Sequence, residues 1–236
     1  MSINIEQIFD DHTGALARVL PNYARREGQV QLARDVNETL ERGGILLAEG
    51  PTGVGKSLAY AVPAILHAAT TGNPALIVTA NKALQDQLAE KDLPLLANAL
   101  QDVLKFKFKL LKGRANYLCQ RELQLYDSRG LNWPSGTEQE GDAISAWAAA
   151  PPCSGDLNDA PICVGYKAWR AVSVSGDDCD HNACPFYDTC YAEIAARDAS
   201  QAHIIIANYD LFYAKLLHSN DPLWHKFGFV ILDEAH

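Results

Sequence analysis

The stretch Gly50-Pro51-Thr52-Gly53-Val54-Gly55-Lys56-Ser57 constrains this chain more than any other. It places Gly, four residues, then Gly-Lys-Ser in series, which is the spacing of a phosphate-binding loop. Glycines at 50, 53 and 55 let the backbone turn so that successive N–H groups face a β-phosphate. Lys56 is then placed to reach the β/γ oxygens, and the Ser57 hydroxyl to take one position on Mg²⁺. Such a loop joins a strand to a helix whose positive end faces the phosphates. Ile45-Leu46-Leu47-Ala48 reads as the short buried strand before it, and Leu58-Ala59-Tyr60-Ala61-Val62 as the helix after it. The expectation is a nucleoside triphosphate site on an α/β fold.

The flanking sequence extends this reading. Residues 2–20 carry Ile5, Ile8, Phe9, Leu16 and Leu20 at roughly helical spacing, as one amphipathic helix or as two short ones interrupted at Asp10–Gly14. Arg26-Glu27-Gly28-Gln29 opens a further helix through Val30, Leu32, Val36 and Leu40. The Gln29 amide both donates and accepts, so it can read an adenine edge. Ala75–Thr79 is a second apolar strand, Asn81–Leu88 a helix, and Gln201–Ala207 another strand. Alternating apolar strands and helices predict a parallel sheet covered on both faces, with ligands at the carboxyl ends of the strands. At the last such end, Phe227–Leu232 runs into Asp233-Glu234. Asp233 there can hold Mg²⁺ and Glu234 can polarise an attacking water.

Two groups of residues are candidates for nucleic-acid contact. Thr79, Lys82, Gln85 and Gln87 lie at or beyond the second strand's carboxyl end. Farther on, Lys105, Lys107 and Lys109 alternate with Phe106, Phe108 and Leu110, and Lys112, Arg114 and Tyr117 follow. Positive charge beside aromatic rings is how single strands are gripped. The net charge of −9 excludes a broadly basic surface but leaves room for a local groove.

No apolar run reaches a membrane span, and Met1–Phe9 has no basic leader region, which together point to a cytoplasmic protein. Disulfides are rare there, so six cysteines suggest ligation of a metal or cluster. Cys179, Cys184 and Cys190 sit close together, with Cys119 well upstream. Zinc sites usually use tighter pairs, and one distant plus three nearby cysteines suits an iron–sulfur cluster as well; spacing leaves both open. Cys153 and Cys163 read as spare thiols. The interval from 90 to 200 exceeds what a crossover between parallel strands requires. The expected organisation is therefore a nucleotide-binding domain over 1–110 and 198–236, with a mainly helical and loop cysteine-rich domain inserted at 111–197. Because the sequence stops at Asp233-Glu234-Ala235-His236, just after a strand that belongs in the middle of a sheet, it reads as part of a longer chain.

Taken together, these residues resemble the iron–sulfur-containing superfamily 2 DNA helicases of the XPD/DinG type, closest to the bacterial DinG/YoaA branch. The resemblance rests on Arg26–Gln29, Gly50–Ser57, Asn81–Leu88, Leu111–Cys119, the three later cysteines and Asp233–His236. It implies a RecA-like motor domain, a [4Fe–4S] cluster on Cys119, Cys179, Cys184 and Cys190, and ATP-driven 5′ to 3′ unwinding in DNA repair or replication. It further implies that Arg26 and Gln29 contact adenine, that Lys56 and Glu234 are catalytic, and that Ser57 and Asp233 hold Mg²⁺. His236 would couple the nucleotide to DNA, and Thr79 with the Lys82–Gln87 helix would face the single strand. The family commonly has Asn-His where this chain has Asn208-Tyr209. It also continues into a second motor domain that supplies arginine fingers, so this stretch alone is expected to hydrolyse ATP slowly, not to unwind, and to be monomeric. The competing expectations are a zinc-bearing nucleic-acid-binding ATP switch and, more remotely, a small-molecule kinase.

Overall fold

The computed structural model describes residues 4–51, 53–129, 132–218 and 226–235. Two compact units are present: Met1–Leu111 with Ala199–His236, and Lys112–Asp198.

The first unit begins with two short helices, α1 (Ile5–Ile8) and α2 (Ala15–Val19), in place of one long one. Asp10 breaks them apart by accepting from the backbone N–H groups of His12 and Thr13 and from the Thr13 hydroxyl. Then follow α3 (Glu27–Arg42), α4 (Lys56–Thr71), β1 (Ala75–Thr79), α5 (Lys82–Gln87) and α6 (Leu93–Ala99). Asn81 caps α5 by accepting from Leu84 N–H at 3.0 Å. A π-helical turn, Leu88–Asp92, carries α5 into α6. The strand β2 is only Phe108–Leu110, so the Lys–Phe alternation stretches beyond the sheet at its start.

All pairing in the sheet is parallel, in the order β2-β3-β1-β4, with β3 at Ile204–Asn208 and β4 at Phe229–Leu232. Helices cover both faces. The central strands show what that requires: β1 is buried at every position and β3 at four of five. The edge strand β4 alternates between half-buried and exposed residues. Beneath the sheet, Phe9, Leu16, Ile65, Leu93, Leu96 and Leu100 build a core with Ile77, Ile204 and Ile206.

Ile45–Ala48 departs from the sequence expectation of a buried strand. It forms no strand, and Ile45 and Leu47 are 92% and 93% exposed. Among the described residues β4 bonds only to β1, and no strand lends Ile45–Ala48 an edge. A short apolar run becomes a strand only when a neighbour supplies hydrogen bonds.

The second unit contains α7 (Gln120–Arg129), α8 (Glu138–Ala149), α9 (Tyr166–Ala171) and α10 (Tyr191–Ala199), the last ending one residue into the first unit. The remainder is loops and single 3₁₀ turns. Its own core gathers Leu118, Leu123, Ile144, Ala168, Trp169 and Val172, with Tyr126 stacked on Trp133 at 4.9 Å. Trp169 donates its indole N–H to Ala115 O at 2.7 Å, which satisfies the polar atom that its burial brings inside. In the first unit, α11 (Tyr209–His218) follows β3 directly, with Asn208 accepting from Leu211 N–H at 3.0 Å as its cap. No helix among the described residues is long and apolar enough to cross a membrane.

Candidate nucleotide site and a four-cysteine cavity

Gly53 and Gly55 adopt φ of +78° and +86°, a region that favours glycine, and Gly55 sits at the N-terminus of α4. At Gly55 the requirement is also steric. A Cβ there would lie 2.2 Å from Gln29 Nε2. That amide is so close because it donates to Gly55 O at 2.9 Å, while Tyr23 donates its hydroxyl to Gln29 Oε1 at 3.2 Å. Arg26 donates to Gly53 O. The α3 start thus clamps the loop from outside, with Gln29 buried and Arg26 exposed. Gly50, Pro51 and Val54 lie in the loop as expected, and Thr52 and His236 lie outside the described residues.

The parallel register brings the other half of the site to the same sheet edge. Thr79 pairs with Asn208, Val78 with Leu232, and Asp233 N–H donates to Val78 O at 2.8 Å. There Lys56 Nζ meets Glu234 Oε1 at 3.0 Å across 178 residues of sequence. Glu234 takes a positive φ of +55°, uncommon for a side chain of this size. Asp233 accepts from the Tyr60 hydroxyl at 3.1 Å through Oδ2, and from the Tyr209 hydroxyl at 3.1 Å through its carbonyl. Burial lifts the Asp233 carboxyl above the usual carboxylate range, against the Tyr60 hydrogen bond and with the Glu234 charge adding to the rise. Tyr60 and Tyr209 are contributors that pattern reading passed over. Tyr60 did leave a trace, standing three residues after Ser57 on one helical face.

The candidate nucleic-acid contacts separate by exposure. Lys82 is exposed on α5, whereas Thr79 is fully buried and Gln85 is 6% exposed. In the second unit Lys112 is tied to Asp156 at 2.5 Å, Arg114 is paired with Glu193, and Tyr117 is buried. Charges neutralised inside a unit offer little to a phosphate backbone.

Arg114 and Tyr117 instead help to line a cavity of about 460 Å³, counting its solvent-open mouth, whose wall includes Cys119, Cys179, Cys184 and Cys190. Leu118, Val174 and Phe186 supply apolar wall between them. Donors are aimed at three of the four sulfurs. Cys119 accepts from the backbone N–H groups of Arg121 and Glu122, Cys179 from His181 N–H at 3.3 Å, and Cys190 from Arg114 Nη1 at 3.8 Å. Cys119 and Cys190 immediately precede α7 and α10, where the helix dipole favours thiolate. Burial pushes the Cys119 thiol up, against the two backbone N–H bonds that pull it down. Burial also works against the Arg114 charge, yet the Glu193 carboxylate and the nearby Cys179 and Cys190 hold its pKa above the ordinary value. The four thiols line a space; among the described residues no three His, Cys, Asp or Glu side chains converge on a point suited to one ion. Cys153 and Cys163 lie outside the cavity wall.

Comparison with known proteins accords with this geometry. The DEAD/DEAH box helicase family matches residues 31–125. The ATP-dependent helicase DinG of Mycobacterium tuberculosis (strain H37Rv) is 35% identical over 231 residues, covering 90% of this chain and 34% of the relative. The ATP-dependent DNA helicase YoaA of Escherichia coli K12 is 32% identical over 227 residues, 94% of this chain and 35% of the relative. For the E. coli K12 ATP-dependent DNA helicase DinG the identity is 32% over 246 residues, 94% and 33% of the two chains. The chain thus spans about a third of the length of the curated relatives it matches.

Proposed function

We propose that this chain is the ATP-binding part of a DinG- and YoaA-type helicase motor acting on single-stranded DNA, with an iron–sulfur unit inserted in it; the DEAD/DEAH box helicase match over residues 31–125 and the DinG and YoaA relatives support this reading. The observation that carries the reading is the meeting of Lys56 with Glu234 at the carboxyl edge of a parallel, RecA-like sheet. Phosphate binding there is a competition. The γ-phosphate draws Lys56 to itself, which releases Glu234 to orient a water for in-line attack. The Gly53–Gly55 backbone and the α4 N-terminus would take the β-phosphate, and Ser57 with Asp233 would hold Mg²⁺. Gln29 and Arg26, clamped on the loop, report base occupancy to it. Lys82 on the exposed side of α5 is the residue of its group best placed for a DNA phosphate.

In the inserted unit, Cys119, Cys179, Cys184 and Cys190 would hold a [4Fe–4S] cluster. N–H donors directed at their sulfurs, two helix N-termini and an apolar wall suit polynuclear thiolate ligation. A cluster supplies cross-linking of four chain segments and a one-electron couple. A single zinc ion is the second reading, which the cysteine content alone would also serve.

One anaerobic preparation tests both halves. Wild-type protein is expected to be brown, with about four irons and matching acid-labile sulfide, and to bind a fluorescent ATP analogue. Cys184→Ser is expected to lose colour and iron, and Lys56→Ala to lose at least about tenfold in nucleotide affinity while keeping its circular dichroism. Stoichiometric zinc without sulfide overturns the cluster. Unchanged nucleotide affinity in Lys56→Ala overturns the motor site.

A further inference from the structure

Tyr60 lies inside the first unit's core, 6% exposed, in the second turn of α4. If its ring served packing alone, phenylalanine would do as well, because a buried hydroxyl costs free energy unless it finds partners. Its partner is specific. The hydroxyl donates to Asp233 Oδ2 at 3.1 Å, across 173 positions of sequence. Asp233 is one of the two side chains assigned above to Mg²⁺, and the other, Ser57, stands one helical turn before Tyr60 on α4. A single buried oxygen therefore ties α4 to the metal ligand beyond β4.

We propose that Tyr60 is a positioning residue for the metal: its hydroxyl, anchored on α4 and bonded to Asp233 Oδ2, fixes the Asp233 carboxylate and turns it toward the cation. The inference rests on the nucleotide-site reading and adds to it a residue buried in the core of the first unit. The geometry gives two consequences. Occupying Oδ2 leaves the second carboxylate oxygen for Mg²⁺ or its water. Anchoring that oxygen stops rotation about the terminal torsion, which is otherwise broad. The effect belongs to the Mg²⁺-dependent part of nucleotide affinity, whereas packing of the ring contributes equally with and without metal.

The test titrates a fluorescent ADP analogue into wild type, Tyr60→Phe, Asp233→Asn and the double variant, in EDTA and across a series of Mg²⁺ concentrations. Circular dichroism and thermal melting report the folded fraction of each. Tyr60→Phe is expected to bind in EDTA within about twofold of wild type and to need about tenfold more Mg²⁺ for half of the metal-dependent gain, the scale of one hydrogen bond to a charged group. Asp233→Asn is expected to abolish the gain, and adding Tyr60→Phe to it to change nothing further. An unshifted Mg²⁺ midpoint in folded Tyr60→Phe overturns the positioning role while leaving the nucleotide site standing. Equal weakening in EDTA and in Mg²⁺ reduces Tyr60 to packing and overturns it too. Wild-type binding with no Mg²⁺ dependence overturns the proposal alone, whereas no binding of the analogue in either EDTA or Mg²⁺ sinks the nucleotide-site reading, and the proposal with it.

Discussion

At Gly55, conformation and space make the same demand. Its φ of +86° disfavours any L side chain, and the Gln29 amide fills the volume a Cβ would need. Gly55→Ala is expected to cost about 1–2 kcal/mol from the left-handed backbone alone, read as a lowered urea midpoint. It should also displace Gln29 and weaken nucleotide binding. Adding Gln29→Ala removes the clash and leaves the strain, so the double variant should recover part of the stability loss and none of the affinity. The glycine requirement was legible because the loop's spacing is a local code. Tyr60 and Tyr209 were not, because a hydrogen bond to Asp233 depends on which strand tips the sheet aligns. Lys112 and Arg114 illustrate the reverse. Their charge pattern is visible in sequence, while the Asp156 and Glu193 that neutralise them come from far along the chain.

Among elements, the contrast between β1 and Ile45–Ala48 is the most instructive. Both are short apolar runs, yet β1 lies between two bonded neighbours and Ile45–Ala48 has none among the described residues. Composition announces a strand, and only the partner makes one. Their energetics should differ accordingly. Ile77→Ala, in a fully buried side-chain site, is expected to destabilise by about 2–5 kcal/mol through lost transfer energy and a cavity. Leu47→Ser is expected to change stability by less than about 0.5 kcal/mol. Chemical denaturation of the two variants checks both. The helices α3 and α4 were readable from 3.6-residue periodicity and from the loop that α4 must follow, but the π-turn at Leu88–Asp92 left no pattern to find. The helix α8 starts at Glu138, where acidic residues suit a helix start that an apolar pattern does not mark.

For the molecule as a whole, the two units hold separate hydrophobic cores, one around the sheet and one around Trp169. The second is small and rich in loops, and four of its cysteines line one cavity, so the cluster proposed for them would contribute much of its stability. Removing metal with a chelator under reducing conditions is expected to collapse amide protection across Lys112–Asp198 and to spare β1 and β3, as followed by hydrogen exchange with mass spectrometry. Loss of protection in both units alike would show that stability is shared. The cysteine spacing suggests ligation, but the helix N-termini and N–H donors beside the sulfurs leave no mark in it, because these arise only when α7 and α10 are folded.

The parallel pairing of β1 with β3 also sets a timetable. Ala75 bonds across to the strand beginning at Ile204, with the whole second unit encoded between them. During synthesis at about 5–20 residues per second, β1 leaves the ribosome many seconds before its neighbour exists. Through that interval a strand destined for complete burial is bare, while the cysteine unit has all of its own chain and can close first. The nascent protein is therefore most vulnerable to aggregation and most dependent on chaperones midway through translation, and whatever slows passage through residues 112–198 prolongs that exposure.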